Sequence, residues 1–176
     1  MRISEVVAPR RSSVSEATVP EPGVNEILVR VRACGICGSE FPTWTAGKDP
    51  PPVRLGHEVA GEVAAVGTGV SGFKPGDRIT GLFRRGFAEY AVCPAEAAAP
   101  SPGGMGDAEA SLGAPVACAV SGALRTDVGL GKTVAVIGLG FMGLLTLQLL
   151  RMKGAFRILA IDARPETGAA ARRLGA

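Results

Sequence analysis

Gly56-His57-Glu58-Val59-Ala60-Gly61-Glu62-Val63-Ala64-Ala65-Val66-Gly67-Thr68-Gly69-Val70 carries the only histidine of the 176-residue chain. β-Branched and small residues fill this run and glycines at Gly61, Gly67 and Gly69 punctuate it, which reads as a strand with tight bends or bulges. His57 then stands at the mouth of a sheet. Taken alone, one histidine beside an apolar strand is by default a satisfied core or loop residue. Upstream, Glu26 to Ala33 alternates, with Ile27, Val29, Val31 and Ala33 on one face and Leu28, Arg30 and Arg32 on the other, a half-buried antiparallel strand. Pro20, Pro22 and Gly23 mark the turn before it.

Composition removes several classes of function. The chain is 47% hydrophobic and 20% charged, ordinary for a soluble globular protein and long enough for one domain or two small ones. The net charge of +3 is small, and Arg10-Arg11, Arg84-Arg85 and Arg172-Arg173 are the only adjacent basic pairs. One Trp, one Tyr and six Phe do not interleave with basic residues, so no nucleic-acid partner is expected. Met1 to Val19 holds no continuous apolar core, so neither a signal peptide nor a membrane span is read there, and the expected compartment is the cytoplasm. Four cysteines in that setting are thiols or metal ligands rather than a disulfide framework.

Cys34-Gly35-Ile36-Cys37-Gly38-Ser39-Glu40 admits three readings. A dithiol redox pair needs a helix opening at the first cysteine, whereas Gly35 and Gly38 favour a loop that Pro42 interrupts early. A zinc ribbon needs a second Cys-x-x-Cys, which the sequence lacks. A loop offering a single ligand stands beside them. Further on, Phe73 to Ile79 is a turn leading into a strand, and Cys93, before Pro94, reads as a small buried hydrophobe. Asp107 to Leu112 suggests a helical turn or two, and Gly113 to Leu124 an apolar helix on which Cys118 is by default a packing residue.

From Gly129 the pattern changes. Thr133 to Ile137 is a continuous apolar run of the buried parallel-strand type, followed by Gly138-Leu139-Gly140-Phe141-Met142-Gly143, a helical stretch from Leu144 to Lys153, and a second strand, Arg157 to Ile161, that ends in Asp162. A glycine triplet after a strand and at the opening of a helix, with an acidic residue about twenty positions on, is the setting of a dinucleotide fingerprint. Gly138 allows the sharp turn, Gly140 lets the backbone approach a pyrophosphate, and Gly143 lets the helix pack on the strand. Phe141 and Met142 belong to the same phosphate-facing turn, where the helix N-terminus offers N–H donors. Asp162 accepts from a ribose 2′-hydroxyl and repels a 2′-phosphate, so NAD is favoured; Arg164 keeps NADP as the lesser alternative.

Gly-His-Glu, two residues, Gly, five residues, Gly, two residues and a small aliphatic residue resembles the signature of the zinc-dependent medium-chain dehydrogenase/reductase family, the zinc alcohol dehydrogenase-like proteins. Gly-Ile-Cys37-Gly-Ser resembles that family's first zinc-ligand loop. The resemblance implies a GroES-like β-barrel catalytic domain over 1–128 and the first βαβα portion of a Rossmann doubly wound parallel sheet over 129–176, a mixed α/β fold. It implies one catalytic zinc on Cys37, His57 and Cys118 with a fourth position open for substrate, a Cys₂His set that suits zinc. Four clustered cysteines hold a structural zinc in many relatives; only Cys93 lies in that region, so no structural zinc is expected.

In the implied reaction an alcohol at the open position loses its proton near neutral pH and gives a hydride to the nicotinamide. Ser39 matches the family's proton-carrying hydroxyl, and Pro42 stands where some members have a relay histidine. Glu40 replaces a more usual Asp that orients the histidine, and Glu58 is an auxiliary ligand or a strand carboxylate. A secondary alcohol, a polyol or the matching carbonyl is the expected substrate. Because the family's sheet continues past Leu174-Gly-Ala176, the chain is expected to be a fragment with little or no turnover of its own, and the full-length form a homodimer or homotetramer. The rival readings are a zinc-free quinone- or enoyl-type reductase of the same superfamily, an inactive metal- or nucleotide-binding remnant, and a Cys34/Cys37 redox dithiol.

Overall fold

A computed structural model describes residues 1–47 and 51–176. The chain divides into two compact units, Met1–Ala114 and Pro115–Ala176. In the first, β1 (Arg2–Ala8) and β2 (Arg11–Glu16) form an antiparallel pair. Five further strands, β3 (Glu26–Gly35), β4 (Glu58–Val66), β5 (Arg78–Leu82), β6 (Tyr90–Pro94) and β7 (Ala98–Pro100), form an antiparallel sheet in the order β6-β3-β4-β5-β7. The histidine-bearing run supplies the central strand, as its apolar, β-branched content demands. Its residues Val59 and Val63 meet Ile27, Val29, Ile79, Phe83, Ala91 and Cys93 in one apolar core.

Burial of Cys93 at 2% exposure bears out its reading as a small hydrophobe. Leu28, expected on the polar face of β3, is buried instead; the register of β3 against β4 shifts between Leu28 and Val29, which breaks the simple alternation there. Gly67 ends β4 at a point where no side chain fits, since a Cβ would overlap the carbonyl oxygen of Gly23. The N–H of Gly67 donates to the carbonyl of Glu26 at 2.8 Å, closing the end of the β3–β4 pair. Pro42, read as an interruption, sits in the first turn of α1 (Phe41–Ala46), where its missing N–H costs nothing. The short α2 (Asp107–Ala110) follows the sheet.

In the second unit, α3 (Gly113–Leu124) leads to β8 (Thr133–Ile137), α4 (Phe141–Met152), β9 (Arg157–Ile161) and α5 (Thr167–Arg173). The strands β8 and β9 pair in parallel, Thr133 against Arg157 through Ile137 against Ile161. Ala123 of α3 packs with Val136, Leu139, Leu147, Leu150, Ala155, Ile158 and Ala171, and the compact units divide between Ala114 and Pro115, within the first turn of α3. On the apolar side of α4, Leu147 and Leu150 are buried, because the crossover helix covers one face of its own strand pair. The other face carries Ile137, Leu159 and Ile161, all exposed. Among the described residues no helix is long and apolar enough to cross a membrane.

Substitution Gly67→Ala forces the turn away from Gly23 and is expected to destabilise the first unit by about 1–3 kcal/mol, the usual range for an overpacked site. Denaturant unfolding reads this directly, and an unchanged midpoint would contradict the close approach.

Candidate metal and nucleotide sites

Glu40 organises the first site. It closes a single 3₁₀ turn, Gly38–Glu40, that follows Cys37, and its side chain is only 8% exposed. One carboxylate oxygen accepts the N–H of Gly56 at 2.6 Å and lies 3.1 Å from His57 Nδ1, while the other accepts the N–H of Cys37 at 3.3 Å. A proton on Nδ1 donated to this carboxylate leaves Nε2 as the lone-pair nitrogen of the ring, the tautomer suited to holding a metal. The backbone around His57 is fixed as well. Gly56 has φ of +96°, and a Cβ there would run into the backbone nitrogen of Phe87. Phe83 donates its N–H to the carbonyl of His57 at 3.0 Å and Gly86 donates to that of Gly56 at 2.8 Å.

The side-chain donor atoms of Cys37, His57 and Glu58 lie within 4.8 Å of one another. Ser39 adds a hydroxyl that donates to the sulfur of Cys37 at 3.3 Å. Glu58 opens β4 opposite Gly35 of β3, and a Cβ on Gly35 would overlap its carboxylate, so the absent side chain makes room for the acid. At 9% exposure Glu58 is a buried acid, and among the described residues it forms no salt bridge. A buried carboxylate beside a thiol and an imidazole is a donor set completed by a cation. The residues present therefore fit a zinc ion. Cys118, the other expected ligand, is carried by the second unit, exposed on α3.

Cys34 stands three residues before Cys37. It packs against the first core, and burial, reinforced by the nearby Glu40 carboxylate, pushes its thiol up to about 12. An inert neighbour of this kind does not make a redox dithiol. Beside the donors lies a largely apolar cavity of about 470 Å³ lined in part by Ile36, Glu40, Phe41, Trp44, Leu55 and Phe87. Of these the sequence reading had singled out Glu40 alone. Trp44, the only tryptophan, placed a few residues after the cysteine loop, was the available signal.

The second site is built at the joint between β8 and α4. Gly138 turns the chain with φ of +90°, and its N–H donates to Ile161 at 2.8 Å. A Cβ on Gly143 would overlap the carbonyl oxygen of Gly138, so the helix can sit this close only on glycine. Gly140 caps α4, and the direction its Cβ would take meets nothing nearer than Arg164 Nη2, at 3.8 Å. Phe141 and Met142 form the first turn of α4 and are exposed. This open backbone cradle ahead of a twelve-residue helix fits a dinucleotide pyrophosphate. Asp162 directly follows β9 and accepts the N–H of Leu139 at 2.6 Å, the N–H of Arg164 at 2.8 Å, and both Nε and Nη2 of Arg164 at 3.0 Å. The Arg164 guanidinium and these backbone N–H groups hold the Asp162 carboxyl well below the usual carboxylate range.

Comparison with known proteins shows what the chain is similar to as a whole. Residues 23–103 match the alcohol dehydrogenase GroES-like domain. An Escherichia coli protein described as an uncharacterized zinc-type alcohol dehydrogenase-like protein is 31% identical over 96% of this chain and 59% of its own length. L-Threonine 3-dehydrogenase of Pyrococcus abyssi is 32% identical over 92% of the chain and 56% of its own length. A crystal structure of an Escherichia coli oxidoreductase of unknown specificity superposes with a TM-score of 0.91 at 30% identity, covering 99% of this chain and 61% of that one. A Sinorhizobium meliloti dehydrogenase described as putative zinc-binding and bound to NADP gives 0.85 at 31% identity, over 99% of this chain and 60% of that one. The chain thus belongs to the zinc alcohol dehydrogenase-like family of medium-chain dehydrogenase/reductases. It spans about three-fifths of the length of the first of these curated relatives.

The raised thiol gives a direct test. With a value of about 12, Cys34 is thiolate in only about one molecule in 10⁴ at pH 8, a fraction that rises tenfold per pH unit. Iodoacetamide at pH 8 is expected to label exposed Cys118 in the folded, metal-free protein while Cys34 and Cys93 stay unmodified, and denaturant should expose all four. Peptide mass spectrometry reads the pattern; Cys34 labelling as fast as Cys118 would refute its assignment as an inert core thiol.

Proposed function

We propose that the chain carries the metal and nucleotide sites of a zinc-dependent dehydrogenase that moves a hydride between a secondary alcohol or polyol, or the matching carbonyl, and a nicotinamide dinucleotide. The observation that carries this reading is the convergence of Cys37, His57 and Glu58 with the Glu40 carboxylate set against His57 Nδ1. Membership of the family and the L-threonine 3-dehydrogenase relative support a secondary alcohol.

Cys37, His57 and Cys118 are the proposed zinc ligands, with Glu58 as an additional donor. What supports Glu58 is its place among the converging donors, and what supports Cys118 is an accessible thiol at the position the family resemblance gives. Zinc, when bound, polarises an alcohol or carbonyl oxygen and makes loss of the alcohol proton accessible near neutral pH. The chain's own residues do the remaining work. Glu40 keeps His57 in one tautomer and holds the loop of Cys37 against that of Gly56. Ser39, whose hydroxyl lies beside the Cys37 sulfur, passes the substrate proton outward, and because Pro42 offers no side-chain acceptor the next carrier is water or a cofactor hydroxyl. Gly138, Gly140, Phe141, Met142 and Gly143 present the cofactor cradle, and Asp162 at the end of β9 favours NAD over NADP. One metal ion is proposed per chain, with no structural zinc.

Elemental analysis of the purified chain tests this. About one zinc per chain, lost in Cys37→Ala and His57→Ala, is the expected result. Glu40→Ala should keep the ligands yet weaken zinc affinity about 10- to 100-fold, the usual cost of losing the group that orients a ligating histidine. No zinc in a folded, reduced protein would overturn the zinc reading in favour of a zinc-free reductase or an inert remnant.

A further inference from the structure

The nucleotide loop and Asp162 lie at the C-terminal ends of β8 and β9, and the opposite end of this strand pair is built from two other segments. Because Thr133 pairs with Arg157, the segment entering β8 and the segment entering β9 emerge side by side. They are also tied together. The N–H of Phe156 donates to the carbonyl of Lys132 at 2.9 Å, and Lys153 Nζ donates to the carbonyls of Ala123 and Thr126 at 2.9 and 2.5 Å. A Cβ on Gly154 would lie 3.2 Å from Leu130 Cδ2. On this shared end Leu124, Leu130, Met152 and Phe156 are 70–91% exposed. Singly exposed apolar residues are ordinary, but four large ones gathered at one end of a sheet mark an interaction surface. The same two segments, 124–132 and 151–157, carry five cations, Arg125, Lys132, Arg151, Lys153 and Arg157, against one acid, Asp127, which pairs with Lys132.

We propose that this end of the second unit is a docking surface for an anionic phospholipid bilayer. Charge decides the class of partner: the excess of cations beside the apolar tips repels a second copy brought face to face and attracts an anionic surface. Shape decides the rest. Four projecting side chains are far fewer than the roughly 20–30 residues a side of a standard protein interface. They suit shallow insertion among acyl chains, while the arginine and lysine stems keep their charged heads at the level of the lipid phosphates. Docked this way, the nucleotide loop stays clear, because the five-residue strands β8 and β9 place it about 15 Å from the bilayer side. No residue proposed for the metal or nucleotide sites belongs to this surface.

Co-sedimentation of the full chain with vesicles tests this, comparing pure phosphatidylcholine with phosphatidylcholine that carries about 30 mol% phosphatidylserine. The anionic vesicles are expected to bind at least about tenfold more tightly, and about 0.5 M salt should remove most of that difference. Leu130→Ser combined with Phe156→Ser, and separately Arg125→Glu combined with Arg157→Glu, should each weaken binding about tenfold or more. Circular dichroism and the unfolding midpoint confirm that both double variants fold, as expected for exposed side chains. Equal binding to the two vesicle types, binding to neither, or undiminished binding by either folded double variant would overturn the proposal. Tight binding to poly-glutamate in the absence of vesicle binding would overturn it in favour of an acidic polypeptide. A dimer in analytical ultracentrifugation that Leu130→Ser with Phe156→Ser dissociates would overturn it in favour of a second copy.

Discussion

A single buried carboxylate sets the geometry of the first site. Glu40 reaches from the loop after β3 to the loop before β4, accepting the N–H groups of Cys37 and Gly56 and meeting the imidazole of His57. Two stretches nearly twenty residues apart in sequence are thereby held as one object, and the sulfur and the imidazole inherit their separation from it. Such an acid is stable only because its charge is met by hydrogen-bond donors on both oxygens.

Around this contact the strands act as a frame. Glu58 follows His57 directly into β4, so the first residue of the central strand brings an acid to the donors while the next, Val59, enters the apolar core. Alternation along one strand thus separates chemistry from packing within a single residue step. In the second unit, glycines instead of side chains do the positioning, because the close approach of α4 to Gly138 leaves room for backbone alone.

Much of this was legible in the sequence. Strands with a clear two-residue period or a continuous apolar run, β3, β8 and β9, announced themselves, and the resemblance of the Gly-His-Glu run and of the glycine triplet to known motifs is what marked His57 and Gly138 to Gly143 as candidates. Pattern could not reveal what depends on where side chains reach. Leu28 looked outward by alternation and is buried where the register slips. Pro42 looked like a break and opens a helix. Asp162 looked like a free acceptor, but the neighbour that occupies it lies only two positions away, and no periodicity encodes whether an arginine turns back on its own strand end. Trp44 and Phe87 share a cavity wall although more than forty residues separate them.

The short turn at Arg84 and Arg85 is bounded by backbone hydrogen bonds, Phe83 to His57 on one side and Gly86 to Gly56 on the other. Both arginines are exposed, and Arg85 takes a positive φ of 64°. The histidine is therefore indifferent to what lies between those two anchors. Residues added between the two anchors would leave the carbonyls of Gly56 and His57 held as they are, which makes the segment a module boundary drawn in hydrogen bonds instead of in sequence.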